Sequence, residues 1–179
     1  MKVSSNVIIR PLKKSDIGQL VENALAFYDE VKEDSTLGLD FKKRRPTAHV
    51  MRKWHSESYE NFRKGNSIYL VAEVDGRIVG KADIESVSPD SEVEHVGSLS
   101  VAILKGYRNM GIGFAMFAKL LEKAKAKFRV IRTDVYSDNG ASKHLLHKFG
   151  FKKAGTIPNF RKRNGKYQNL EIWTLLLKT

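Results

Sequence analysis

The 179-residue chain contains no cysteine. This absence excludes a disulfide framework, a thiolate metal site and a cysteine nucleophile, so any chemistry must use oxygen, nitrogen or main-chain groups. Long apolar runs are also absent, and the first residues lack the apolar core of a signal peptide. We therefore expect a cytoplasmic protein that is neither secreted nor inserted into a membrane.

Acidic residues are few relative to basic ones: 20 Asp and Glu stand against 32 Lys and Arg, a formal net charge of +12. Such a charge favours anionic ligands and makes nucleic acid or the ribosome a candidate partner. Lys119, Lys123 and Lys127 recur along one predicted helix, a spacing that a plain solvated face also explains. Histidines and carboxylates do not share metal-ligand spacing, so the sequence predicts no metal site.

The remaining composition is that of a globular protein, with 41% hydrophobic and 9% aromatic residues. The length suits one compact domain with a sizeable core, and the sequence has no internal repeat, linker or low-complexity tract. We therefore expect residues 1–179 to form a single domain.

Turn signals and hydrophobic periodicity predict a mixed α/β fold, with a central, mostly antiparallel sheet of about seven strands flanked by about four helices. The Asp-Gly pair at 75–76 and the Asn-Gly pair at 164–165 each separate two strand-like runs and favour tight hairpins. Ser15, Thr47 and Asn139 are suitable helix N-caps. The predicted strands are residues 7–10, 67–74, 77–84, 95–104, 130–136, 156–162 and 167–177, and the predicted helices are residues 15–28, 47–65, 112–128 and 139–147.

A glycine-containing loop at residues 108–113 joins a predicted strand to a predicted helix. Glycines lack Cβ, so main-chain N–H groups in such a loop can approach an anion, and the helix that follows directs its unpaired amides toward it. Arg108 adds a charged donor. The loop is not a Walker motif, since no Lys-Ser or Lys-Thr pair follows Gly113, nor a dinucleotide fingerprint, since Met116 stands where a third glycine is needed. A simple strand-to-helix turn is the alternative interpretation.

Two segments resemble the GNAT superfamily of acyl-CoA-dependent N-acyltransferases. Residues 99–113, LSVAILKGYRNMGIG, are similar to the family's strand followed by its [RQ]-x-x-G-x-[GA] loop. Residues 139–151, NGASKHLLHKFGF, are similar to its N-x-x-A-x-x-L-Y-x-K-x-G-F helix. Both segments occur in the family's order, and the resemblance covers most of the chain. It implies a sheet that is splayed between the fourth and fifth strands.

The resemblance also implies acetyl-CoA as the donor of an acetyl group. In the family the pantetheine arm pairs with the exposed backbone of the fourth strand, and a main-chain N–H near Val101 or Ala102 would stabilise the oxyanion. The residues implied for acetyl-CoA are Arg108, Asn109, Met110, Gly111, Ile112, Gly113 and Phe114 at the pyrophosphate, Val101, Ala102 and Ile103 along the arm, and Asn139 and Ser142 on the opposite wall.

The residues for proton transfer depart from the family pattern. The family's frequent late-helix tyrosine acid falls at Leu146, so this role is not carried over. Tyr136 and Tyr167 are substitutes that strand packing would explain equally well. For the base, Asp134 lies where some protein N-terminal acetyltransferases of the family carry a glutamate, and Glu85 ends the third strand near the expected acceptor site; a solvated strand carboxylate is the alternative for each.

The resulting hypothesis is an acetyl-CoA-dependent N-acetyltransferase. Its acceptor is left open among a protein N-terminus, a lysine, a polyamine and another small amine. The acceptor side is expected to include residues 29–47 and the hairpin around Asn164.

The alternatives are a non-catalytic module on the same fold, which senses acyl-CoA or binds RNA or the ribosome, and a regulator that binds a partner through Trp54, Tyr59 and Phe62. The chain is expected to be a monomer or a homodimer, with residues 170–177 as the strand that would pair across a dimer.

Overall fold

The computed structural model describes residues 6–34, 36–37 and 44–178. Lys42 and Lys43, in the stretch predicted for the acceptor side, lie outside the described residues. Within the described ranges the chain forms seven strands and four α-helices in one α/β domain, which confirms the predicted fold class. They are β1 (Val7–Pro11), α1 (Ile17–Glu33), α2 (Ala48–Arg63), β2 (Ser67–Val74), β3 (Arg77–Ser86), β4 (Val96–Ile103), α3 (Ile112–Ala124), β5 (Val130–Tyr136), α4 (Gly140–Lys148), β6 (Lys152–Arg163) and β7 (Lys166–Leu176).

The strands form one sheet in the order β1-β2-β3-β4-β5-β7-β6. Neighbouring strands are antiparallel except β4 and β5, which are parallel. The β4–β5 pairing extends only from Val96 opposite Val130 to Ser98 opposite Arg132, although both strands continue further. The two strands therefore separate, which confirms the predicted splay.

Side-chain alternation gives the sheet two different faces, because successive residues of a strand point to opposite sides. On one face, Ala82 and Ile84 of β3 and Leu99 of β4 belong to the main core, where they join Met116 and Leu120 of α3. The other face carries α1 and α2, and a smaller cluster of Leu12, Leu20, Tyr69, Val71 and Ile78 packs there. That face is not completely filled, and the candidate site lies in the remaining space.

The helix N-caps at Thr47 and Asn139 are confirmed. The Thr47 side chain accepts a hydrogen bond from the Val50 amide, and the Asn139 side chain accepts one from the Ser142 amide. The cap predicted at Ser15 is wrong, because a 3₁₀ turn, Lys14–Asp16, precedes α1.

Asp16 fixes the entry into α1 instead of Ser15. Its carboxylate accepts hydrogen bonds of 2.8 Å from the Arg10 guanidinium and from the Lys13 amide. This ion pair lies near the end of β1, and it determines the residue at which α1 begins.

The prediction that residues 170–177 pair across a dimer is wrong. Strand β7, which contains most of them, lies between β5 and β6 and uses both of its edges within the chain. The hairpin at the Asn-Gly pair places β6 on the outside of the sheet.

Packing bears on two other hypotheses, the basic stripe on α3 and the partner surface on α2. The side chains of Lys119 and Lys127 donate hydrogen bonds to the carbonyls of Ile9 and Gly65, so they hold the chain together rather than form a free basic stripe. Tyr59 and Phe62 are half-buried against the smaller cluster, as core residues are, whereas Trp54 is 44% exposed, so a partner surface at these residues stays a prediction. Over the described part of the chain, the helices are too short or too polar to cross a membrane.

Candidate active site

The loop before α3 has the backbone shape of an anion cradle. Asn109 and Gly111 both have positive φ, 63° and 79°, and α3 begins directly after Gly111. The first main-chain hydrogen bond of the helix runs from the Ala115 amide to the Gly111 carbonyl, at 3.0 Å. The amides of Ile112, Gly113 and Phe114 therefore have no acceptor within the helix, and the helix dipole adds to their attraction for an anion. This geometry fits a pyrophosphate.

The Arg108 guanidinium makes hydrogen bonds to other groups of the protein. Its two terminal nitrogens donate to the two carboxylate oxygens of Glu30 in α1, one of them at 2.7 Å, and its Nε donates to the Ile103 carbonyl at 2.8 Å. A bidentate pair of this kind fixes the guanidinium plane. Arg108 thus ties α1 to the end of β4, and its contact with a phosphate stays a prediction.

Strand β4 has an open edge on the side of the gap. The Leu104 amide donates to Val79 of β3 at 2.9 Å, so the main-chain groups of even-numbered residues point to β3 and those of odd-numbered residues point to β5. Thr133 Oγ1 donates to the Leu99 carbonyl at 3.0 Å, and Arg108 closes the other end of the edge. Between these two contacts, the N–H and C=O of Val101 face the gap, ready to pair with an extended ligand.

The same alternation separates the two predicted oxyanion donors. The main-chain groups of Ala102 point to β3, where Ala102 and Lys81 are register partners. Of Val101 and Ala102, only Val101 therefore presents its amide to the gap.

Asn139 and Ser142, which the resemblance assigns to the wall opposite β4, lie at the start of α4. The Asn139 side chain is occupied as the N-cap, with the Ser142 amide 3.0 Å from its Oδ1. Contacts of Asn139 and Ser142 with a donor molecule stay a prediction. Leu146, which stands in place of the family's tyrosine, is buried in the main core.

A cavity of about 900 Å³ lies on the other face of the sheet, between α1, α2 and strands β3 and β4. Residues 44–47 form part of its rim, as predicted for the acceptor side, whereas residues of the β6–β7 hairpin are not among its lining. The described residues that line it are Leu20, Asn23, Ala24, Phe27, Arg44, Arg45, Pro46, Thr47, Val50, Met51, Trp54, His55, Gly80, Lys81, Asp83, Glu85, Ser98, Ser100 and Ala102.

Only one of the three predicted catalytic side chains reaches this cavity. Glu85 lines it and accepts a hydrogen bond of 2.9 Å from Asn61 of α2. Asp134 lies on β5, where its carboxylate pairs with Arg132 at 3.0 Å. Tyr136 is buried beneath the Arg161 guanidinium, which lies 3.4 Å from its ring centroid. The structure therefore does not bring the three together, and their catalytic roles stay predictions.

The cavity contains an ion pair that the sequence analysis missed. The Lys81 ammonium donates to Asp83 Oδ1 at 3.2 Å and lies 4.8 Å from the Trp54 ring centroid. Burial alone would lower the pKa of Lys81, but the charge of Asp83 outweighs it and holds that pKa above its usual value. The signal was present: Lys81, Asp83 and Glu85 place charges at every second residue of a central strand.

Two buried polar side chains lie beside this ion pair. Burial lowers the pKa of His55 to about 4, with a further contribution from the Lys81 charge, and burial raises the pKa of Tyr69 to about 12. Both groups are therefore neutral at pH 7. The Leu20 main chain opposes the lowering of the pKa at His55, and Lys81 opposes the raising at Tyr69, so each group has a polar neighbour.

Metal chemistry has no visible support in the part of the chain that is described. Within it, no group of three or more histidine, aspartate or glutamate side chains is arranged to hold a metal ion. The polar groups that line the cavity are an ammonium, two guanidiniums, two carboxylates, an imidazole, an amide and hydroxyl groups.

Known proteins share both the sequence pattern and the fold. The chain is 30% identical over 100 residues to the L-amino acid N-acetyltransferase AaaT of Escherichia coli, a match that covers 55% of this chain and 61% of that relative, less than two thirds of its length. The ribosomal-protein-alanine N-acetyltransferase of Brucella melitensis is 26% identical, with a TM-score of 0.79 over 95% of this chain and 99% of that one.

A third protein shares the fold at lower identity. The yncA protein of Salmonella typhimurium, solved with its cofactor acetyl-CoA, has a TM-score of 0.80 and 20% identity over 97% of this chain and 95% of that one. The family model described as the acetyltransferase (GNAT) family matches residues 25–151, which is more than half of the chain. With the splayed sheet and the glycine loop, this match shows that the chain belongs to the GNAT acetyltransferase family.

Proposed function

We propose that the protein is an acetyl-CoA-dependent N-acetyltransferase that moves an acetyl group directly to a primary amine. One observation carries the proposal: the open edge of β4 and the large cavity meet at the same residues. Val101 presents its main chain to the gap, while its neighbours Ser100 and Ala102 line the cavity on the α1–α2 face. A donor in the gap and an acceptor in the cavity would therefore adjoin the same short segment.

The residues present fit acetyl-CoA. The free amides at the start of α3 match a pyrophosphate, and the Val101 main chain matches the extended amides of a pantetheine arm. Acetyl-CoA supplies the acetyl group as an activated thioester. The yncA structure, which shares the fold and has acetyl-CoA as its cofactor, supports this choice of donor.

The chain's own groups account for positioning and for proton transfer. The Val101 N–H can donate to an oxygen that gains negative charge in the gap. An amine is protonated at neutral pH, so a carboxylate must take a proton before the nitrogen can form its bond to the acetyl carbon. Glu85 and Asp83 are the carboxylates of the cavity. The bond to sulfur then breaks, and the thiolate leaves and takes up a proton.

The names of two relatives favour one class of acceptor amine. AaaT is named for L-amino acids, and the Brucella protein for a ribosomal-protein alanine. An α-amine of an amino acid or of a protein N-terminus is therefore the preferred acceptor here, ahead of a lysine or a polyamine. A cytoplasmic location and a monomeric or homodimeric state stay predictions.

A direct test measures CoA thiol release with a panel of amines, together with acetyl-CoA affinity by calorimetry. Gly111→Trp would fill the cradle with an indole and should weaken acetyl-CoA binding by more than about tenfold. Gly76→Trp is the matched control, because Gly76 has the same φ of 79° but lies in the β2–β3 turn, with no neighbouring atom within 4 Å of an added Cβ.

Equal affinities in the two variants would contradict the assignment of the cradle. Acetyl-CoA binding without thiol release from any amine would support the alternative of a non-catalytic acyl-CoA sensor. Salt-sensitive RNA binding without acetyl-CoA binding would instead support the RNA-binding module that the net charge suggests.

A further inference from the structure

A charged side chain lies on the floor of the cavity, within the sheet. Lys81 lies near the middle of a seven-stranded sheet, with its side chain 14% exposed, and its only carboxylate partner among the described residues is Asp83. Placing an ion pair in such a position costs free energy that apolar side chains would not cost. A functional contact is the physical reason to retain it.

The Lys81 ammonium has more hydrogen-bond donors than protein partners. We call His55, Tyr69, Lys81 and Asp83 the Lys81 cluster. The ammonium has three N–H groups and gives one to Asp83. The Tyr69 hydroxyl interacts with the same ammonium, so a further N–H group is left for a ligand. A buried donor without an acceptor is unfavourable, so the cluster calls for oxygen atoms from a ligand.

We infer that Lys81 selects acceptors that carry an anionic oxygen group, a carboxylate in the first instance, beside the amine. The inference rests on the proposed function, since it names the class of acceptor for that site. The ligand's carboxylate would accept from the Lys81 ammonium, which the neighbouring Tyr69 hydroxyl helps to position. Its amine would then face Asp83 or Glu85.

The position of Lys81 suits this role. Lys81 and Ala102 are register partners, and Ala102 is the neighbour of Val101, whose amide faces the gap. Adjacent strands lie about 4.8 Å apart, so a molecule held by Lys81 keeps its amine within a few bonds of the open edge. A compact amino acid spans this distance.

Other charges around the cavity are placed differently. Arg44 and Arg45 are exposed at the rim, and Arg45 pairs with Asp29 at 2.8 Å. Because water screens exposed charges, these arginines would attract an anion without selecting it strongly. Glu85 accepts from Asn61 and repels an anion. Among the described residues that line the cavity, Lys81 is therefore the cation that is half-buried, whereas the two arginines are exposed.

The experiment compares kcat/KM for L-leucine, L-leucinamide and isoamylamine, which share one side chain and differ in the carboxyl group. We expect L-leucine to exceed both neutral amines by at least about tenfold, since a charged hydrogen bond is lost with the carboxylate. Alanine and methionine with their amides repeat the comparison for other side chains. An aspartyl peptide amide, with its carboxylate on the side chain, distinguishes a peptide acceptor from a free amino acid.

The Lys81→Met variant should bring the leucine-to-leucinamide ratio to about one, mainly by lowering the leucine value. Lys81→Arg should keep a preference, and Tyr69→Phe, which removes the hydroxyl beside the Lys81 ammonium, should reduce the ratio by about threefold without loss of fold. Lys53→Met, at an exposed lysine on α2, controls for the loss of one positive charge. Arg44→Gln tests whether the exposed arginine at the rim of the cavity contributes to the preference.

A wild-type ratio near one, or a ratio unchanged in Lys81→Met and in Tyr69→Phe, would overturn the inference, as would loss of the preference in Arg44→Gln alone. Calorimetric titration of L-leucine and L-leucinamide into the protein with CoA measures the same preference without turnover. A carboxylate preference in binding with no acetyl transfer would therefore support the inference while refuting the proposed function.

Discussion

The buried imidazole of His55 gives the protein a pH-dependent stability that can be calculated. His55 is 1% exposed, and burial lowers its pKa from 6.5 to about 4 in the folded state. Between these two values the unfolded chain binds a proton at this side chain and the folded chain does not. Protonation therefore favours unfolding, and stability falls as the pH drops below 6.5.

The magnitude follows from the two pKa values. The contribution of His55 to the free energy of unfolding is undiminished above pH 7, and it decreases by about 2 kcal/mol at pH 5 and by about 3 kcal/mol at pH 4. Those losses are a large share of the total stability of an ordinary domain, which is roughly 5–15 kcal/mol. Acid sensitivity should therefore begin well above the pH range in which carboxylates titrate.

The assay is urea denaturation of the wild type and of His55→Leu at pH 7, 6, 5 and 4.5. Leucine has no titratable group and leaves no unpaired polar atom, so the variant should gain on the wild type steadily as the pH falls. His49→Leu, at an exposed histidine of the same helix, is the control. A wild-type-to-variant difference that stays constant from pH 7 to 4.5 would refute the reasoning.

Two further predictions concern packing and proton transfer. Gly97→Ala should lower the free energy of unfolding by about 1–3 kcal/mol, measured by thermal or urea denaturation, because its Cβ would lie 2.4 Å from Ile84 Cγ2 and 3.1 Å from Phe128 Cγ; an unchanged stability would mean that β4 shifts freely. Glu85→Gln should lower kcat by about 10²-fold, more than Asp134→Asn does, because Glu85 lines the cavity and Asp134 pairs with Arg132. If Asp134→Asn lowered kcat more than Glu85→Gln did in steady-state kinetics, the proton acceptor would be assigned to Asp134 on β5 instead.

Local signals were sufficient for most of the fold. The Asp-Gly and Asn-Gly turns act through φ values that only a few residues adopt easily, so the hairpins they predict are present. The N-cap at Asn139 has the same local character. The Ser15 cap is wrong because the preceding strand intervenes: Arg10 on β1 pairs with Asp16, and the helix begins after Asp16.

The parts of the candidate site that lie in one short segment could be predicted from the sequence, and the parts assembled from separate segments could not. The glycine loop at residues 108–113 is a continuous segment, so its pattern is visible in the sequence. The Lys81 cluster is assembled from β2, β3 and α2, and its chemistry depends on which face of the sheet is left open. His55 illustrates the difficulty, since a histidine in a polar helix is ordinarily a surface residue, yet this one is enclosed.

Arg108 links two parts of the molecule mechanically. Through Glu30 it holds α1, whose residues Leu20 and Phe27 line the large cavity, and through the Ile103 carbonyl it holds the end of β4 beside the gap. The gap and the cavity are therefore connected through one side chain. If the proposed function holds, a movement of the loop at residues 108–113 would shift the α1 wall, and binding in one place would change affinity in the other.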